Sequence, residues 1–112
     1  MGKRLIKHLE ITDLANGKTD SATWTPDQDY VIKYIIVRRA DGKPWGPTTC
    51  TIFIEDQPLT KDKAPCAILG TDITNAIEWN EPIKKAQQFR LSITNAEGET
   101  ITVYIDLILE RP

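Results

Sequence analysis

The residues able to do chemistry in this 112-residue chain are few and scattered. His8 is the only histidine, and Cys50 and Cys66 are the only cysteines. A nucleophile needs a base within hydrogen-bond reach, and nothing in the sequence places His8 beside one, so it reads as a surface or strand-face residue. Two cysteines and one histidine do not complete a zinc site, and no Cys-x-x-Cys occurs. G-x-S-x-G, the phosphate-binding loops and H-E-x-x-H are absent, and the six glycines are single and separated, which suits turns.

Carboxylates are the remaining chemistry. Asp13 to Asp20 brings two carboxylates and Asn16 around Gly17, and Asp27 and Asp29 flank Gln28. Calcium takes six to eight oxygen ligands, but neither stretch has the spacing of a calcium loop, and Asp and Asn are ordinary turn residues. Glu78 and Glu81, three apart at a strand end, fix no useful separation for glycoside hydrolysis. The expectation is a non-enzymatic chain without metal or cofactor.

Three tryptophans are more suggestive. Trp24, Trp45 and Trp79 all lie near loops or strand ends beside polar residues. An exposed indole can stack on a sugar ring, whereas a packed one covers a core while its N–H bonds a carbonyl. Trp45, between Pro44 and Gly46-Pro47, is the first candidate for a carbohydrate or other ligand. Trp24 is the second.

The bulk composition decides what carries these residues. Fourteen basic and sixteen acidic residues give a net charge of -2 without a like-charge block, so no nucleic-acid footprint is present. No apolar run is long enough for a membrane span, and the basic start MGKR lacks the apolar stretch of a secretory signal. Synthesis in the cytoplasm is expected, compatible with later incorporation into a virion. In that setting Cys50 and Cys66 read as buried free thiols rather than a disulfide. Fifteen Ile and thirteen Thr against eight Leu favour strands, because β-branched side chains fit a pleated surface.

Period-2 alternation marks strands from Leu5, over 30–39, over 48–55, over 76–83, and over the last thirty residues, with Asn16-Gly17 and Ala40–Lys43 as turns. Residues 18–29 read as a loop with a short edge segment, 59–64 as irregular, and 65–69 as a short strand. The segments around Phe89–Thr94 and Ile101–Leu109 read as a closing β-hairpin. Six to eight strands without a convincing helix predict one all-β domain over 1–112, an antiparallel, jelly-roll-like β-sandwich whose first 21 residues could serve as an assembly arm.

YVIKYIIV, 30–37, is apolar on both faces as a regular strand, with only Lys33 breaking one. Phe53, Tyr104 and Ile108 also fall on faces expected to be outward. A contiguous apolar set asks for a cover, so Tyr30, Ile32, Tyr34 and Ile36, extended by Phe53 and Tyr104, are expected to form a homo-oligomer interface.

The order ATWTPDQDYVIKYIIVRRADG, TTCTIFIEDQPLT and PIKKAQQFRLSITNAEGETITVYIDLILE resembles small viral and phage β-sandwich proteins, namely capsid decoration, spike or head-fibre domains of jelly-roll type. Trp24-Thr25-Pro26-Asp27 before a long apolar strand, Ile54 to Thr60, and Thr94-Asn95 carry the likeness. Such proteins often place a glycine in the turn before the penultimate strand, where this chain has Ala86. The resemblance implies a trimeric or other symmetric assembly with a capsid or other particle protein as partner, no catalysis, and no transferred binding residues.

Overall fold

In the computed structural model, which describes residues 4–60 and 63–112, the chain pairs with itself from its two ends inward. The basic start at 1–3 and the middle of the irregular stretch, Lys61 and Asp62, lie outside the described residues. Strand β1 (Arg4–Leu14) pairs with β9 (Ile101–Glu110), β2 (Thr19–Trp24) with β8 (Phe89–Thr94), and β3 (Tyr30–Arg39) with β7 (Glu78–Ile83). At the fold-back point β4 (Thr49–Ile54) pairs with two-residue strands β5 (Gln57–Pro58) and β6 (Ala64–Pro65). All these pairs are antiparallel. Lateral pairing of β9 with β3 and of β8 with β4 then closes two sheets, β1-β9-β3-β7 and β2-β8-β4-β5. A folded-over ribbon rolled into two facing sheets is the jelly-roll arrangement.

This topology corrects the closing hairpin. β8 and β9 belong to opposite sheets and share no ladder. A period-2 strand shows which residues face inward but not which sheet it joins, so an arch between sheets and a hairpin within one look alike in sequence. Two smaller corrections follow. Residues 18–29 contain a full six-residue strand, β2. Residues 65–69 hold the end of β6 and one helical turn, α1 (Cys66–Leu69), rather than a strand.

The puzzle of YVIKYIIV resolves within β3. Val31 pairs with Glu110 and Ile32 with Leu109, yet the next paired residue, Tyr34, opposes Ile108. Lys33 is an extra residue, a β-bulge, and it reverses which side chains face the core. Before it Tyr30 and Ile32 point inward; after it Ile35, Val37 and Arg39 do. The expected single face of Tyr30, Ile32, Tyr34 and Ile36 is therefore corrected: the first two join the core, at 8% and 0% exposure, and the last two lie outside. The core packs Ile35, Val37, Ile105 and Leu107 of one sheet against Ile52, Phe89, Leu91 and Ile93 of the other. Burying each such side chain contributes about 1.5–3 kcal/mol.

The outer faces differ in character. On the β1-β9-β3-β7 sheet, Ile6, Ile108 and Tyr34 form one cross-strand row, His8, Asp106 and Ile36 the next, and Glu10, Tyr104 and Arg38 a third. On the other sheet the rows are mostly hydroxyls, with Thr19 bonded to Thr94 at 2.7 Å and Ser21 to Ser92 at 2.6 Å. Phe53 lies on this second sheet beneath the Arg90 guanidinium, 4.7 Å from its ring centre, so it is separated from Tyr34 and Tyr104.

Ala86, in the turn before β8, has φ 72°, the left-handed region that favours glycine. Its amide donates to the Pro26 carbonyl, which fixes that conformation.

Two substitutions separate the faces of β3. Ile32→Ala should cost about 2–5 kcal/mol, as a core truncation, and Tyr34→Ala no more than about 1 kcal/mol, by urea unfolding. Equal costs would place the bulge elsewhere. Ala86→Gly should stabilise by up to about 1 kcal/mol, because it relieves the left-handed strain.

Candidate functional site

The most elaborate construction in the molecule surrounds Glu97, in the arch between β8 and β9. Its carboxylate is 4% exposed and faces Arg39, itself 5% exposed, at 2.9 Å. It also accepts from the backbone N–H of Gly46 at 2.9 Å, from the N–H of Thr48 at 3.3 Å, and from the Thr48 hydroxyl. Burial alone would push the Glu97 carboxyl up, but the Thr48 hydroxyl, the two amides and Arg39 together hold it below the usual carboxylate range. Asn95, 1% exposed, braces the same arch: its side-chain amide donates to the carbonyls of Leu14 and Glu99, and its oxygen accepts from the Glu97 N–H.

These bonds hold the connection between β3 and β4, residues 40–48, against the sandwich. Asp41 accepts two bonds from Arg39, at 3.2 and 2.7 Å, and one from the Lys43 amide. Trp45 donates its indole N–H to the Val37 carbonyl at 3.0 Å, and the Val37 N–H donates to Gly70. The reason is local. β7 pairs with β3 only from Tyr30 to Tyr34, so the remainder of that β3 edge needs other partners, and Trp45 and Gly70 supply them. Gly70 has φ 97°, and a Cβ there would lie 2.5 Å from the Ala76 Cα, so no other residue fits.

A cleft of about 490 Å³ opens where this loop meets the β3 edge and α1, with Trp45, Pro44 and Ala67 among its walls and Arg38, Lys43 and Thr71 at its polar positions. The volume falls in the range of small-ligand sites, about 300–1,000 Å³. Arg38 sits over the Tyr104 ring, 5.0 Å from its centre. Among the described residues neither Arg38 nor Lys43 forms an ion pair. Trp45 is thus half-buried, its edge committed to β3.

Trp24 lines a second cleft, of about 540 Å³, between the edge strands β1 and β2, together with Tyr30, Leu5, Lys7 and Asp27. Its ring lies 5.8 Å from that of Tyr30. The two tryptophans singled out by sequence serve separate clefts and are not brought together.

The remaining candidates fall elsewhere. His8 lies on the outer face of β1 with both ring nitrogens taken, by Asp106 at 2.6 Å and Glu10 at 2.9 Å, and these two bonds raise its pKa. Cys50 and Cys66 are free and buried; the hydrogen bond between them and their burial push the Cys66 thiol up. Trp79 on β7 is half-buried, and its indole N–H has no partner among the described residues. Asp29 accepts from the Lys85 amide, and Glu78 from Asn80 and Tyr34. Among the described residues no group of three or more His, Cys, Asp or Glu could hold a metal ion.

Sequence reasoning missed Arg38, Arg39, Lys43 and Glu97. Arg38-Arg39 followed closely by Lys43-Pro44-Trp45 is a cationic cluster beside an aromatic and could have pointed to the cleft. Glu97 carries no local signal, because its partners lie about fifty residues away. Comparison with known proteins finds no matching family model, curated protein or solved structure.

Glu97→Ala leaves Arg39 without its buried carboxylate partner, with only the more exposed Asp41 and Glu99 to face it, and should cost about 3–5 kcal/mol. The Glu97 pKa is depressed in the fold, so its contribution is present above the unfolded value of about 4.3 and is lost as pH falls through the lower folded value. Urea unfolding from pH 7 to 3 should show that acid loss in the parent and a shallower one in Glu97→Gln.

Proposed function

We propose that this chain is a non-catalytic β-sandwich module that binds a ligand in the cleft beside Trp45. The observation that carries the reading is the bracing of residues 40–48. A surface connection is held by a buried ion pair, two backbone amides on one carboxylate, and an indole bond to β3. Binding residues sit characteristically on loops held by a rigid scaffold, and a held loop loses little freedom on binding. The lone histidine, with both ring nitrogens on carboxylates, offers no free base, which favours binding over catalysis.

A small-ligand panel of neutral and acidic sugars, read at the Trp45 indole N–H by NMR and assigned with Trp45→Phe, tests this directly. At least one sugar should shift that resonance while Trp79 stays unmoved. No shift at Trp45 from any member at millimolar concentration would remove the reading.

A second reading is self-association at the surface of a virus-like or other particle, through the outer face carrying Tyr34, Ile36 and Tyr104. Ile6, 70% exposed beside Ile108 and Tyr34, favours it. It is the weaker of the two, because Ile36 and Ile108 are already only 8% exposed in the single chain. The solution mass by light scattering should exceed one chain, with Tyr34→Glu plus Ile36→Glu shifting it downward. A clean monomer at micromolar concentration sinks the assembly reading.

A further inference from the structure

We infer that the ligand of the Trp45 cleft is an acidic sugar, with its ring against Trp45 and Pro44 and its carboxylate or sulfate between Arg38 and Lys43. The inference rests on the binding reading above and names its ligand class.

Donors and acceptors around the cleft are unevenly used. The side-chain acceptors near the cleft are committed: Asp41 to Arg39 and the Lys43 amide, and Glu97 to Arg39, Gly46 and Thr48. Arg39 is committed too, facing Asp41 at 2.7 Å, Glu97 at 2.9 Å and Glu99 at 3.6 Å. Among the described lining residues, the Arg38 guanidinium, which rests on the Tyr104 ring, and the Lys43 ammonium have no carboxylate partner, and the Thr71 hydroxyl makes no side-chain hydrogen bond. Guanidinium and ammonium only donate. A ligand that satisfies them must bring acceptors, and an anionic group meets two cations with charge-assisted bonds of roughly twice the ordinary strength.

Charge alone does not make the site. Arg38, Arg39 and Lys43 set against Asp41, Glu97 and Glu99 sum to zero, so no strong positive field surrounds the cleft. Recognition must come from donors already in place. Arg38 is steadied over Tyr104, and the Lys43 backbone is anchored to Asp41. Trp45 and Pro44 add an apolar wall, which the C–H face of a pyranose ring covers and a bare inorganic anion does not. Ring and anion together make one acidic sugar unit, supplied by either a uronate or a sulfated residue.

Four probes at matched ionic strength, each read at the Trp45 indole, test this: a glucuronate-containing disaccharide, a sulfated disaccharide, neutral cellobiose, and sodium sulfate alone. At least one acidic disaccharide should bind ten-fold or more tightly than cellobiose, and the arm that does so identifies the source of the anion. Arg38→Ala and Lys43→Ala, both exposed positions, should each weaken that binding at least five-fold, with Arg38→Lys restoring part of it. Cellobiose binding as tightly as both acidic sugars overturns the ligand class and leaves the cleft reading standing. Sodium sulfate giving the full response overturns the sugar. Silence of the Trp45 resonance toward all four overturns both this inference and the reading beneath it.

Discussion

Arg39 and Glu97 meet with almost no access to water, and much of the molecule's upper end is arranged around that contact. Removing two charges from solvent costs several kcal/mol per ion, repaid only when geometry is good and the remaining lone pairs are filled. Here they are filled: Glu97 takes two amides and a hydroxyl besides the guanidinium, and Arg39 reaches Asp41 with two nitrogens. The pair joins the end of β3 to the arch leading into β9, and through Gly46 and Thr48 it fixes the path into β4. Three segments distant in sequence therefore share one anchor. Gly46 belongs to that anchor as well, since a Cβ there would stand 3.1 Å from the Glu97 carboxylate oxygens.

The bulge at Lys33 decides which arginine does this. Without the extra residue, the alternation from Tyr30 and Ile32 would carry Arg38 inward and Arg39 outward. With it, Arg39 enters the interior and Arg38 stands over Tyr104 at the cleft. The buried anchor and the exposed donor are adjacent residues sorted by one irregularity five or six positions earlier. The same irregularity explains how a strand apolar on both sides needs no second chain to cover Ile32: the hydrophobic residues on the two halves of β3 take turns facing the core.

Much of this was legible residue by residue. The bounds of β3 follow from its apolar run between the polar stretch 18–29 and the turn Ala40–Lys43, the inward set Cys50, Ile52 and Ile54 of β4 follows from alternation, and the run of β-branched residues fixes the all-β class. Trp45 between Pro44 and Gly46 marked the loop that bears the cleft. The bulge was not legible, because inserting one residue leaves composition unchanged and only shifts parity, and a strand with two apolar faces shows no parity to shift. The arch at Asn95–Thr100 was not legible either, since its short Gly-containing sequence suits a hairpin equally well. What distinguishes the two is Asn95 reaching the Leu14 carbonyl, a contact across 81 positions.

The pairing of β1 with β9 has a consequence for how the chain comes into being. His8 and Asp106, bonded across that ladder, are 98 residues apart. At a synthesis rate of about 5–20 residues per second, β1 waits roughly 5–20 s for its partner. During that wait its Leu5, Leu9 and Ile11 have no sheet to join, and Lys7, on the same side, is the residue that discourages a neighbouring nascent chain from joining instead. Nested pairing of this kind cannot be built from one end, because the outermost strands close last, and folding belongs to the slow regime of non-local contacts. β1 is made before every other strand of the sandwich and is among the last to find its place.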